Sequence, residues 1–330
     1  MFVTPRNKMT KPLLQQLGAL NESNWIRLGT LSESLLPLEK AIACYESALR
    51  IHPYSCEALS ALAACYRSHE LYPQASEVYQ RLLNILPHSG DSWGALGHCY
   101  LMMDELQKAY SAYQQALYHL SNTQEPKLWY GIGILYDRYG SFEHAEEALS
   151  AVLRMDPLFE KANEIYFRLG IIFKQQTKFD VAIECFEYIL SCPPSPLTRS
   201  DILFQLGHIY EQQQAFQKAK DTYDRILQDT PNHAKVLQQL GWLHQDPKAP
   251  FHDTERAVSL LSKSLDVDSK DAQTWYLLGR CFMHQQKYNE AYDAYQQAVY
   301  ALFFTLTTPQ IQRREESYLL VFHWRALLPN

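Results

Sequence analysis

Apolar residues recur along this chain at three- and four-residue spacing, in pairs of short runs separated by polar breaks. The stretch 129–149, WYGIGILYDRYGSFEHAEEAL, shows both runs: Trp129, Ile132, Leu135 and Tyr136, then, after Tyr139-Gly140-Ser141, Phe142, Ala145, Ala148 and Leu149. This is the pattern of two amphipathic helices joined by a tight turn. The pattern repeats every 34 residues, over 22–55, 56–89, 90–123, 126–159, 163–196, 200–233, 234–271 and 272–305; the seventh unit carries about four extra residues in its turn. Aromatic or leucine side chains recur at positions four, seven and eleven, with Ser32, Ile132 and His244 as departures, and proline closes five of the units.

The small residues hold the strictest register. Position eight is Gly29, Gly97, Gly133, Gly170, Gly207, Gly241 and Gly279, with Ala63 in the second unit. Position twenty is alanine throughout: Ala41, Ala75, Ala109, Ala145, Ala182, Ala219, Ala257 and Ala291. A glycine inside a helix costs about 1 kcal/mol relative to alanine, so its recurrence needs a compensating reason. The expected reason is that the two helices of a unit approach closest there, with the alanines on the facing surface. Gly131 falls outside the register, and the pattern gives no account of it. A 34-residue helix-turn-helix period with these signals marks the tetratricopeptide repeat. The fold expected is all-α, a right-handed α-solenoid of about eight repeats whose first helices line a groove.

The ends break the pattern. Residues 1–21 lack the repeat and are expected to be irregular, with at most a short helix at Pro12–Leu20. After Val299 the eighth unit loses its register. Residues 306–330 form an atypical end: either an aberrant terminus, or a capping helix that starts at Thr308-Pro309 and carries Ile311, Tyr318, Leu319 and Phe322.

Composition narrows the functional classes. A formal charge of −6 with mixed signs argues against a nucleic-acid surface, and no apolar run reaches the length of a membrane span. Seven cysteines with no C-x-x-C pair suit a reducing compartment. Cys65, Cys99 and Cys281 share position ten, and Cys44 and Cys185 share position twenty-three, so they read as packing residues. Phosphate-loop, zinc-protease, nucleophile-elbow and dinucleotide motifs are absent. No catalytic, cofactor-binding or metal-binding residue is expected, and no cofactor.

Solenoids of this class bind peptides or helices along the inner surface. Positions five and nine are the candidates: Tyr130, Ile134, Phe167, Ile171, Phe204 and His208 as an apolar strip, then Gln238, Trp242, Tyr276 and Arg280 as a more polar aromatic one. Packing against the neighbouring first helix is the competing role for the strip. The corresponding residues of the first three units, Ile26, Thr30, Ser60, Ala64, Gly94 and His98, lack the Lys/Asn/Arg set of co-chaperones that hold acidic C-termini.

Four segments go beyond the generic repeat: LWYGIGILYDRYGSFEHAEEAL, VLRMDPLFEKANEIYFRLGIIFKQQTKFD, VLQQLGWLHQ and TWYLLGRCFMHQQKYNEAYDAYQQAV. Over about residues 20–300 the chain resembles the tetratricopeptide subunit of the fungal general transcriptional co-repressor, the glucose repression mediator family. A more distant likeness is to the solenoid of the animal tetratricopeptide histone demethylases. The first resemblance implies a nuclear, non-catalytic adaptor that joins a WD-repeat co-repressor subunit to DNA-binding repressors and chromatin-associated factors without reading DNA itself. It also implies that units one to three face the WD-repeat partner and later units the repressors. Members of that family continue with further repeats and a low-complexity tail, which implies a truncated chain here.

Overall fold

The computed structural model describes residues 13–35, 37–120 and 124–307. Among them every regular element is a helix: α1 Leu13–Leu35, α2 Leu38–Ile51, α3 Cys56–Ser68, α4 Tyr72–Ile85, α5 Gly90–Met102, α6 Leu106–His119, α7 Pro126–Arg138 and α8 Phe142–Met155. They continue as α9 Ala162–Gln175, α10 Phe179–Ile189, α11 Arg199–Gln212, α12 Phe216–Asp229, α13 Ala234–Gln245, α14 Thr254–Val267, α15 Ala272–His284 and α16 Tyr288–Thr307. Successive helices pair as antiparallel hairpins, and the chain divides into two compact units, 1–162 and 163–330. Each is a stack of tetratricopeptide hairpins, an α-solenoid.

The position-eight glycines are where the helices of a hairpin close on each other, but the partner is not the alanine at position twenty. A Cβ added at Gly29, Gly97, Gly170, Gly207 or Gly279 would meet the ring of Tyr45, Tyr113, Phe186, Tyr223 or Tyr295 at 2.4–2.9 Å. At Gly133 and Gly241 it would meet Leu149 and Leu261 at 2.6 Å. All seven partners stand at position twenty-four. The alanines at position twenty, each at most 1% exposed, contribute by taking up no room beside those rings.

Gly131 now has its reason. Its added Cβ would lie 2.3 Å from the hydroxyl oxygen of Tyr113, one hairpin upstream, whose ring is already seated against Gly97. One aromatic ring thus requires two glycines, one in each of the first helices that it touches.

The turns share a second device. Glu70, Asp104, Gly140, Thr177, Gln214 and Gln286 all occupy position fifteen, and all have φ between 59° and 72°. The left-handed residue lets the next N–H reach back to the position-eleven carbonyl: Leu71 to Tyr66, Glu105 to Tyr100, Ser141 to Tyr136, Lys178 to Phe173, Ala215 to Tyr210 and Lys287 to Phe282, at 2.8–2.9 Å. This six-to-one bond ends the first helix and satisfies a carbonyl that would otherwise be orphaned. The seventh hairpin ends differently: Asp253 N–H reaches the carbonyl of His244 at 2.9 Å, and the Asp253 carboxylate caps α14.

At both ends the helices run further than the repeat. The short helix expected at Pro12–Leu20 is present from Leu13, so residues 13–21 are helical rather than irregular. They are continuous with α1, because LLQQLGALN is made largely of strong helix formers. At the other end α16 runs past Val299 to Thr307, since YALFFTLT lacks a proline or glycine to stop it although the repeat register is lost. The proposed capping helix from Thr308 lies outside the described residues.

Candidate partner-binding surface

The ten positions proposed for partner contact do not form one open strip. Tyr130 and Ile134 on α7 are buried; the Tyr130 ring packs against Phe159 at 5.6 Å, and the Lys161 ammonium sits 5.4 Å above it. These two residues offer a partner little area, so their role is packing. Phe167 is half-buried, edge-on to Phe186 at 5.7 Å. Phe204 lies in a ring cluster with Tyr223, His233 and His208 at 5.9–6.3 Å. Ile171 is half-buried beside them in sequence register. Gln238 is buried and donates to the Asp271 carboxylate at 2.8 Å, which also caps α15; it is a structural residue. Trp242 packs against the Ala257, Leu261, Leu277 and Cys281 cluster. Tyr276 is 51% exposed, tilted against Tyr295, and Arg280 is half-buried one turn on. The accessible part of the surface is therefore half-buried Phe167 and Ile171 of α9, Phe204 and His208 of α11 and Trp242 of α13, with Tyr276 and Arg280 of α15.

A buried polar cluster adjoins His208, and the sequence reading missed it. The Lys174 ammonium donates to Gln205 Oε1 at 2.8 Å, and His208 Nδ1 stands 3.7 Å from the Glu211 carboxylate. Burial pushes the Glu211 carboxyl up to about 8, with the Tyr223 hydroxyl and the Lys174 ammonium pulling the other way. Burial also lowers Lys174 to about 8, Glu211 opposing. Burial, with Lys174 nearby, lowers His208 to about 4. The Glu211 carboxylate and the Tyr223 hydroxyl are buried against each other, and His208 Nδ1 is buried with no hydrogen-bond partner among the described residues. The signal was the column at position twelve, where Lys174 and Glu211 follow one another in consecutive units. The first hairpin uses the same two positions differently: Tyr45 at position twenty-four donates to Glu33 at position twelve at 2.7 Å. In the third hairpin position twelve is Leu101, and the Tyr113 hydroxyl accordingly has no hydrogen-bond partner among the described residues.

His98, the equivalent of His208, is likewise lowered to about 4, by burial first and by Arg67 and Lys161 after it. Cys65, Cys99 and Cys281 are at most 1% exposed, and burial pushes their thiols up to about 11. A thiol so far above neutral carries almost no thiolate, which suits a packing residue. Among the described residues no cluster of His, Cys, Asp and Glu could hold a metal ion, and no helix is long and apolar enough to cross a membrane.

Tetratricopeptide repeat models match residues 126–157, 200–233 and 251–302. Among solved structures, the C-terminal part of a repeat protein from Cytophaga hutchinsonii covers 72% of this chain and 93% of its own, with TM-score 0.56 at 17% identity. The pilus biogenesis factor PilW covers 66% of this chain and 97% of its own, with TM-score 0.53 at 19% identity. Both likenesses speak to the fold alone. The general transcriptional corepressor ssn6 of Schizosaccharomyces pombe is 56% identical over 91% of this chain. The general transcriptional corepressor trfA of Dictyostelium discoideum is 60% identical over 85%. The general transcriptional corepressor CYC8 of Saccharomyces cerevisiae is 72% identical over 56%. The chain spans only 29%, 20% and 19% of the lengths of these three relatives. Along nine-tenths of its length, then, this tetratricopeptide solenoid is similar in sequence to the general transcriptional corepressor ssn6, of which it spans 29%.

Proposed function

We propose that the chain is a non-catalytic scaffold of a transcriptional co-repressor assembly in the nucleus, linking a WD-repeat co-repressor subunit to sequence-specific DNA-binding repressors. The observation that carries this reading is the 56% identity to a corepressor over 91% of the chain. The solenoid offers side chains from many hairpins, so several partners can be held by different combinations of repeats. In this reading Phe167, Ile171, Phe204, His208, Trp242, Tyr276 and Arg280 supply contacts for repressor segments, and the first three hairpins face the WD-repeat subunit. DNA is reached only through the repressors, consistent with the net charge of −6.

The test is affinity purification of the tagged chain from nuclei, followed by mass spectrometry. Co-purification of a WD-repeat protein and of DNA-binding factors is expected. Their absence, with recovery only of chaperones bearing acidic C-termini, would overturn the proposal.

A further inference from the structure

Helix α1 carries an apolar face with no neighbour among the described residues. Leu17, Leu20, Leu28, Leu31 and Leu35 are 46–77% exposed, and Asn24 is exposed among them. At 3.6 residues per turn these six positions fall within ~80° of arc. The opposite side holds the helix to α2: Ile26 and Ser32 are buried, and Gly29 receives the ring of Tyr45.

The other hairpins identify what such a face receives. Asn24, Leu28 and Leu31 stand at positions three, seven and ten. In α3 those positions are Ala58, Leu62 and Cys65, each at most 3% exposed, and α3 packs on α2. In α13 they are Val236, Leu240 and Leu243, each at most 2% exposed, and α13 packs on α12. The face is thus continuous in kind with an interface built repeatedly inside the molecule, and its occupant is a helix.

The spacing identifies which helix. Leu17 and Leu31 lie equally far from Asn24, and so do Leu20 and Leu28. A pattern symmetric about its centre matches itself when turned end for end. A second α1 laid antiparallel sets Leu17 against Leu31, Leu20 against Leu28, and Asn24 against Asn24 on the two-fold axis. A two-fold interface requires this self-matching of one patch. A single polar residue in an apolar seam fixes register, since any slip buries the amide without a partner. Only one charged residue, Arg27, flanks the stripe within ~60° of its centre, and in the antiparallel pair it faces Asn21, so no like charges meet. A 23-residue helix is about 34 Å long. Two such faces bury on the order of 1,000 Å², the lower end of specific interfaces.

We propose that two copies of this chain pair through α1, antiparallel about Asn24, to give a weak dimer of the size class of transient interfaces. Sedimentation velocity on the 330-residue chain, from about 1 to 100 µM, should show the mass doubling. The paired change Leu20→Asp and Leu31→Asp should hold it monomeric throughout, with circular dichroism and melting unchanged because both side chains are exposed. A second readout does not depend on that variant. With Cys56→Ser and Cys192→Ser as background, Asn24→Cys should form a covalent dimer under mild oxidation and Thr30→Cys should not. A monomer up to 100 µM would overturn the proposal. So would association that survives the aspartates, association growing beyond two copies by stacking of unlike ends, or equal cross-linking from both cysteine positions.

Discussion

The hydroxyl of Tyr113 is a costly group to keep. It is buried, it bonds to nothing among the described residues, and a glycine is needed at 131 to make room for it. An unpaired buried hydroxyl costs about 1–3 kcal/mol, so Tyr113→Phe should leave stability unchanged or raise it. Gly131→Ala alone should destabilise by roughly 1–3 kcal/mol through overpacking. In the Tyr113→Phe background the loss should shrink, because the atom 2.3 Å from the new Cβ is gone. Urea melts of the two single variants and the double one read this coupling directly; additive losses would mean that the ring does not set the requirement for glycine. At position fifteen, Thr177 holds φ 62° with a β-branched side chain, a conformation that disfavours it. Thr177→Gly should therefore stabilise by about 0.5–1 kcal/mol in the same melts.

Glu211 carries a pH signature. Its folded pKa of about 8 lies above the ordinary carboxylate value, so folding favours the protonated form. Its contribution is fully present below about pH 4.5 and is lost as pH rises through 8. Glu211→Gln should thus matter little at pH 5 and stabilise by on the order of a few kcal/mol at pH 8. His208 runs in the opposite sense: with its folded pKa lowered to about 4, stability falls as pH drops from 6.5 towards 4. Melting wild type and Glu211→Gln across pH 5–8 separates the two groups, and parallel curves would remove Glu211 as the cause. Residues of this kind were the least legible in the sequence. The glycine register announced itself because one steric demand recurs in every unit. The position-fifteen residues, Glu, Asp, Gly, Thr, Gln and Gln, share a backbone conformation and no side-chain chemistry, and the polar cluster needs two units brought together.

At the scale of the helix, pattern strength decided what could be read. The first helices announced themselves through positions four, seven, eight and eleven. The start of α1 was legible only as a separate short helix at Pro12–Leu20, because Leu13–Asn21 precedes the repeat and follows helix propensity alone. Groove and packing roles were inseparable in the sequence, since both call for apolar residues at positions five and nine. In the structure Tyr130 and Ile134 pack, Phe167 and Phe204 lean on core rings, and Tyr276 is open. This decides which substitution tests the groove. Phe204→Ser should lower the melting temperature by several degrees, because the ring contacts Tyr223 and His233. Tyr276→Ser should leave melting unchanged while weakening capture of a repressor segment that engages α15. Calorimetric titration beside a melt distinguishes them; an unaltered affinity for Tyr276→Ser would remove α15 from the binding surface.

Over each compact unit, the helices in close contact are neighbours or next neighbours in sequence. Stability in such a stack is a sum of local terms and nearest-neighbour couplings, with no single core to collapse. Damage should accordingly stay local. Gly241→Val places a branched side chain where even a Cβ would stand 2.6 Å from Leu261, inside the hairpin of α13 and α14. In amide hydrogen exchange, protection should fall sharply in those two helices and less in α12 and α15, while α3 to α6 keep theirs. The same locality underlies the scaffold proposal, because a partner bound to one pair of hairpins need not disturb another held elsewhere. A uniform loss of protection from α3 to α15 would mean that the chain unfolds as one cooperative body, and independent engagement of several partners by separate hairpins would then lose its physical basis.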